Sequence, residues 1–118
     1  MEKIIDMTTI LDDNNMNINT YYGARGRLRS KYTDETLKTL KDSIDNEVRK
    51  SYDYKHIKAI TIEPENYTLK FVYNKKSDIE KSIPEIEHII SECIMDQFGE
   101  SIPYVDSFTL ADELRIVI

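Results

Sequence analysis

The sequence predicts an α+β fold, a two-layer sandwich in which an antiparallel sheet of about four strands, built from two hairpins, carries two helices on one face. Two observations carry this. Apolar residues recur at spacings of three and four in two separate stretches, and each stretch is followed by a pair of segments in which apolar and polar residues alternate. A third, the Pro64 and Gly99 punctuation, marks where elements turn or stop.

Leu37, Leu40, Ile44 and Val48 form the stripe of an amphipathic helix over 34–50, with Thr33 or Asp34 placed to cap its free amides. Three isoleucines between His56 and Ile62 predict a strand, and Tyr67, Leu69, Phe71 and Tyr73 alternate with Thr68, Lys70 and Val72 in a second. Glu63, Pro64, Glu65 and Asn66 join them as a hairpin, because proline presets the backbone angle at a turn's second residue. Ile79, Ile83, Ile86, Ile90, Cys93, Ile94 and Phe98 define the second helix, and Gly99 supplies a left-handed stop. Proline is tolerated without cost only in a first turn, so Pro84 predicts a short turn at Asp78 and a main helix from Ile83. Tyr104, Phe108 and Leu110, then Leu114, Ile116 and Ile118, alternate on either side of Ala111, Asp112 and Glu113 as a second hairpin.

All 118 residues fit one domain. Within it, 33–74 and 77–118 read as two helix-hairpin units: a helix precedes each hairpin, and Leu69 to Tyr73 match Leu114 to Ile118 in spacing. A duplication and the small variety of strand patterns account for this equally well. Residues 1–32 are the ambiguous part. Ile4, Met7 and Leu11 suit a helix, Ile5, Met7 and Leu11 a short strand, and 12–19 has the Asp and Asn content of a loop. Thr20 onward resumes residues that favour an edge strand over 20–30.

The most unusual local feature lies there. Three of the five arginines are Arg25, Arg27 and Arg29, with Lys31 next; on an extended backbone all four side chains point the same way. The whole chain is −6, and setting those four aside leaves 12 basic against 22 acidic side chains. Such separation points to a binding surface. Guanidinium groups bind carboxylates or phosphates bidentately, and Tyr21 and Tyr22 beside them could stack on bases or pack against a protein. The competing reading is a solvated edge strand whose cations discourage edge pairing. The acidic hairpin turns, Glu63 with Glu65 and Asp112 with Glu113, are the second candidate surface, set against turns that are simply wet.

Signs of catalysis are weak. Glu85 and His88 make one E-x-x-H step, where carboxylate metal centres need two such steps and further glutamates. Cys93 falls in an apolar stripe, the place of an inert thiol, and His56 at a strand start suits packing or hydrogen bonding. No metal or cofactor is expected, and the chain is read as non-enzymatic. A lone cysteine allows no internal disulfide, no long apolar run offers a membrane span, and Glu2, Lys3 and Asp6 interrupt the apolar start, so the expected location is cytoplasmic.

The expectation is a protein-binding domain, an acidic inhibitor, antitoxin or immunity-type protein that neutralises a partner with a basic surface. The alternative is an RNA or phosphate-ligand binder using the Arg25 to Lys31 segment, although the overall negative charge disfavours nucleic acid.

Overall fold

Thr33 opens helix α1 (Asp34–Arg49) with a reciprocal cap: its side chain accepts from the Thr36 amide at 3.1 Å, and Thr36 Oγ1 accepts from the Thr33 amide at 2.7 Å. Asp34 and Glu35 in the first turn and Arg49 in the last complement the helix dipole. The structure, a computed structural model, describes residues 25–102 and 106–118. After α1 come a 3₁₀ turn (Tyr52–His56), β1 (Ile57–Glu63), a 3₁₀ turn (Pro64–Asn66), β2 (Thr68–Tyr73), a 3₁₀ turn (Lys76–Asp78), α2 (Ile79–Phe98), β3 (Asp106–Leu110) and β4 (Glu113–Val117).

The predicted sandwich is what forms. Four strands make one antiparallel sheet in the order β1-β2-β4-β3, so the two hairpins lie side by side with β2 and β4 at the centre. Paired residues share a face. Leu69 opposite Ile116, and Phe71 opposite Leu114, therefore stand together on the buried face, joined by Ile60 opposite Phe71. Against that face pack Leu37, Leu40, Ile44 and Val48 of α1 and Ile79, Ile86, Ile90 and Ile94 of α2, all in one core.

Three local predictions are corrected. His56 closes a 3₁₀ turn and does not start the strand. Pro84 does not mark a helix start: α2 is helical from Ile79, with Pro84 inside it. Propensity is overruled by packing here, because Ile79 and Ser82 in the first turn are fully enclosed and hold it down. The Tyr73 hydroxyl donates to Ser82 Oγ, which donates to the Ile79 carbonyl at 2.9 Å, so a buried polar pair is satisfied within that turn. Burial pushes the Tyr73 phenol above its usual value, with the Ser82 hydrogen bond opposing it. Gly99 does stop the helix, at φ 74.

Residues 25–29 are helical, which overturns the edge strand over this part of the chain. The helix buries Leu28 completely in the main core and sets Arg25 and Arg29 one turn apart, where they reach Asp106 and Tyr67. The Thr20 to Ala24 part of that expectation, with the readings of 1–19 and the strand position of Tyr104, lies outside the described residues.

Candidate protein-binding surface

A helical backbone breaks up the cation row. Arg25 and Arg29 fall one turn apart on one side, while Arg27 points elsewhere and is 68% exposed. Each cation then meets something of the protein's own. Arg25 is buried and reaches Asp106 of β3 at 3.4 Å. Arg29 stacks its guanidinium 4.3 Å above the Tyr67 ring. Arg27 lies 3.7 Å from Glu100, and Lys31 bonds the same carboxylate. Lys31 also donates to the Phe98 carbonyl at 3.4 Å, supplying a cation to the C-terminus of α2, whose last turn has none. The Lys31 hydrogen bond, with Arg27 near, holds the Glu100 carboxyl below its ordinary value.

Tyr32 locks this corner. Its ring packs on Tyr67 and Phe98 at centroid distances of 5.9 and 5.4 Å, and its hydroxyl donates to the Ile118 carbonyl at 3.4 Å. Burial pushes its phenol up to about 12, against the pull of Arg29 and Arg25. Tyr67 itself sits at φ 52, left-handed for a non-glycine residue, closing the first hairpin. Tyr21 and Tyr22 lie outside the described residues.

The acidic turns do not form one surface. β2 and β4 are antiparallel, and each follows its own turn, so the turns emerge at opposite ends of the sheet, roughly 17 Å apart for strands of this length. The Ile118 amide bonds the Tyr67 carbonyl at one end, and the Tyr73 amide bonds the Asp112 carbonyl at the other. Two of the four carboxylates are already engaged. Glu63 takes hydrogen bonds from Asn66 and Lys70, which lower its carboxyl pKa in that order of effect, and Glu113 accepts two bonds from Arg115, at 2.8 and 3.1 Å. Glu65 is exposed and Asp112 partly so.

A different acidic surface exists on α2. Its core residues occupy one arc of the helix, and Glu85, His88, Glu92, Met95 and Asp96 follow each other on the opposite, exposed arc at spacings of three, four, three and one. Among the described residues, Glu85, Glu92 and Asp96 form no ion pair with a lysine or arginine, while the acids of α1 are largely matched: Asp42 by Lys38, Asp45 by Lys41 and Arg49, Glu47 by Lys50. Two pKa shifts fall along this helix. Glu85 shares a hydrogen bond with the buried carboxyl of Asp53, which together with burial holds its own proton above the usual range. Cys93 is pushed up to about 11, by burial first and then by Glu47, Asp96 and Glu92.

Beside this arc runs a groove of about 300 Å³ between the helices, lined by Thr39, Ser43, Asn46, Glu47, Cys93, Asp96 and Gln97. Gln97 donates to the Thr36 carbonyl at 2.9 Å, and its Oε1 is buried with no protein partner among the described residues. His56 bonds Asp78 through Nδ1 at 3.3 Å, and Asp78 also meets Lys81 at 3.5 Å, an arrangement that ties the turn before β1 to the start of α2. His88 is exposed, near Glu85.

The outer face of the sheet is a third surface. Phe108 stands opposite Arg115, and Leu110 opposite Glu113, on the side away from the helices, where they are 49% and 53% exposed. Alternation in β3 is present as predicted, but its large apolar residues face out.

No family model matches the sequence, and a search of curated proteins finds no match. Among the described residues, no helix is long and apolar enough to cross a membrane.

Proposed function

We propose that this chain is a non-enzymatic protein-binding domain that docks the exposed acidic arc of α2 against a basic surface on another protein, in the manner of an inhibitor, antitoxin or immunity-type protein. The observation that carries the reading is the unneutralised row Glu85, Glu92 and Asp96 beside exposed Met95. Uncompensated charge on one face steers encounter with an oppositely charged partner, and an adjacent flexible apolar side chain offers contact area once water leaves. The internal use of Arg25, Arg27, Arg29 and Lys31 supports the same reading over RNA or phosphate binding, because cations already matched release fewer counterions from a nucleic acid.

The test is a triple variant, Glu85→Lys, Glu92→Lys and Asp96→Lys, compared with the parent chain as bait in the native host lysate, after urea unfolding has shown that both are folded. A partner with a basic surface should be held by the parent and lost by the variant, with association slowing as salt rises. A partner bound equally by both would refute the docking face. Tight RNA binding in a filter assay, abolished by alanine at Arg25, Arg27 and Arg29, would return the alternative.

A further inference from the structure

The sheet has two edges, and they are built differently. β1 carries exposed Lys58 and a register shift between Ile57 and Ala59, and α1 packs alongside it. Outward lysines and bulges are what keep an edge from pairing with a foreign strand. β3 has neither. Among the described residues it has a neighbour on one side only, its register with β4 is unbroken from Asp106 to Leu110, and it contains no lysine, arginine or proline. Alternate residues along such a strand turn their N–H and C=O groups outward, and no described strand pairs with them. The two large apolar side chains beside that edge, Phe108 and Leu110, are half exposed.

What would cover the edge is decided by charge. Four carboxylates surround it: Asp106 on the strand, Asp112 and Glu113 at its turn, and Glu87 of α2, which accepts from the Ser107 hydroxyl at 2.9 Å. Two cations offset them, Arg25 at Asp106 and Arg115 at Glu113. The edge is therefore net negative, so a second copy of this chain would bring like charge to like. An extended segment with cationic side chains suffers no such repulsion.

We propose that β3 is a strand-addition site that takes up an extended segment of a partner protein in which apolar residues alternate with Lys or Arg. The apolar side chains of the incoming strand would lie beside Phe108 and Leu110 on the outer face. Its basic side chains would lie on the other face and at the strand ends, near Glu87, Asp106 and Asp112. Main-chain pairing supplies affinity, and the alternate side chains supply specificity. This deepens the protein-binding reading, in that it assumes a basic partner, but it names a different surface from the α2 arc.

The experiment selects a phage-displayed random peptide library against the full chain, then measures labelled winners by fluorescence anisotropy and backbone amide exchange by NMR. Winners should alternate apolar and basic residues. The outward amides of 106–110 should exchange quickly in the free protein and slow on peptide binding. Phe108→Lys with Leu110→Lys, both at exposed positions, should weaken binding by about tenfold or more while leaving the urea midpoint in place. The α2 triple variant should bind the peptide as the parent does. The proposal is overturned by a selection without winners, by winners lacking basic residues, by binding that survives the double lysine change, or by β3 amides already protected in the free chain. Sedimentation as a dimer that the double change dissociates would assign the edge to a second copy instead. Loss of a host partner in the α2 variant but not in the β3 variant would leave the protein-binding reading standing and remove this one.

Discussion

Leu28→Ala tests whether the arginine segment belongs to the core or hangs free as a ligand loop. Leu28 is fully enclosed in the cluster that contains Leu69, Phe71 and Ile116. Truncating a buried leucine to alanine costs about 2 to 5 kcal/mol, through lost transfer energy and an unfilled cavity. The lower middle of that range, about 3 kcal/mol, applies here because the short helical segment over 25–29 can partly relax into the space. With a urea slope of about 1.5 kcal/mol per molar, ordinary for a small domain, the unfolding midpoint should fall by about 2 M. Arg27→Ala is the control: its side chain is 68% exposed and its ion pair with Glu100 spans 3.7 Å, so the change should cost less than about 0.5 kcal/mol. Equilibrium urea unfolding followed by far-UV circular dichroism reads both. A Leu28→Ala protein within about 0.5 kcal/mol of the parent would refute the docking of the segment, and its cations would again be available to an outside ligand.

Two further outcomes follow from buried polar groups. Ser82→Ala should cost about 1 to 3 kcal/mol in urea unfolding, because it leaves the enclosed Tyr73 hydroxyl without its acceptor, and adding Tyr73→Phe should recover part of the loss; an unchanged midpoint would count against the pairing. Glu85 holds a proton above its ordinary value of 4.5 in the folded chain, so the folded state binds more protons than the unfolded one and stability should decline as pH rises from 4.5 through the raised value; Glu85→Gln, which keeps a donor toward Asp53 at every pH, should flatten that decline in a pH series of urea midpoints, and an identical slope would contradict it.

Much of the scaffold was legible because it rests on periodicity. Leu37, Leu40, Ile44 and Val48 admit one face, and all four are buried in α1 with Thr33 as its cap. The hairpins followed for the same reason, and so did the stop at Gly99. The arginine segment was not legible. Arg25, Arg27 and Arg29 alternate with period two, but only one apolar residue lies among them, and a single Leu28 can be buried from a helix as well as from a strand. Nor does alternation say which parity faces the core. Phe108 and Leu110 point outward because β4 fixes the register, and Leu114 and Ile116 had already claimed the buried side. Strand order separated the two acidic turns, and no local pattern encodes strand order. The acidic arc of α2 is legible in the sequence too, as the complement of the isoleucine stripe read at the same spacing.

The disposition of charge gives these separate findings one physical cause. Arg25, Lys31, Lys70 and Arg115 each meet a carboxylate, and the first two do so across more than sixty residues of chain, at Asp106 and Glu100. The exposed Lys31 pair contributes about 0 to 1 kcal/mol and does little to hold the fold. The larger effect of the four pairs is local cancellation at Asp106, Glu100, Glu63 and Glu113. Among the described residues no lysine or arginine forms such a pair with Glu85, Glu92 or Asp96 on α2, and the Asp53 carboxyl holds the Glu85 carboxyl above its ordinary value. Under the proposed docking, a basic surface laid against this arc would favour its ionised carboxylates, so charge the isolated fold leaves unpaired would favour the complex.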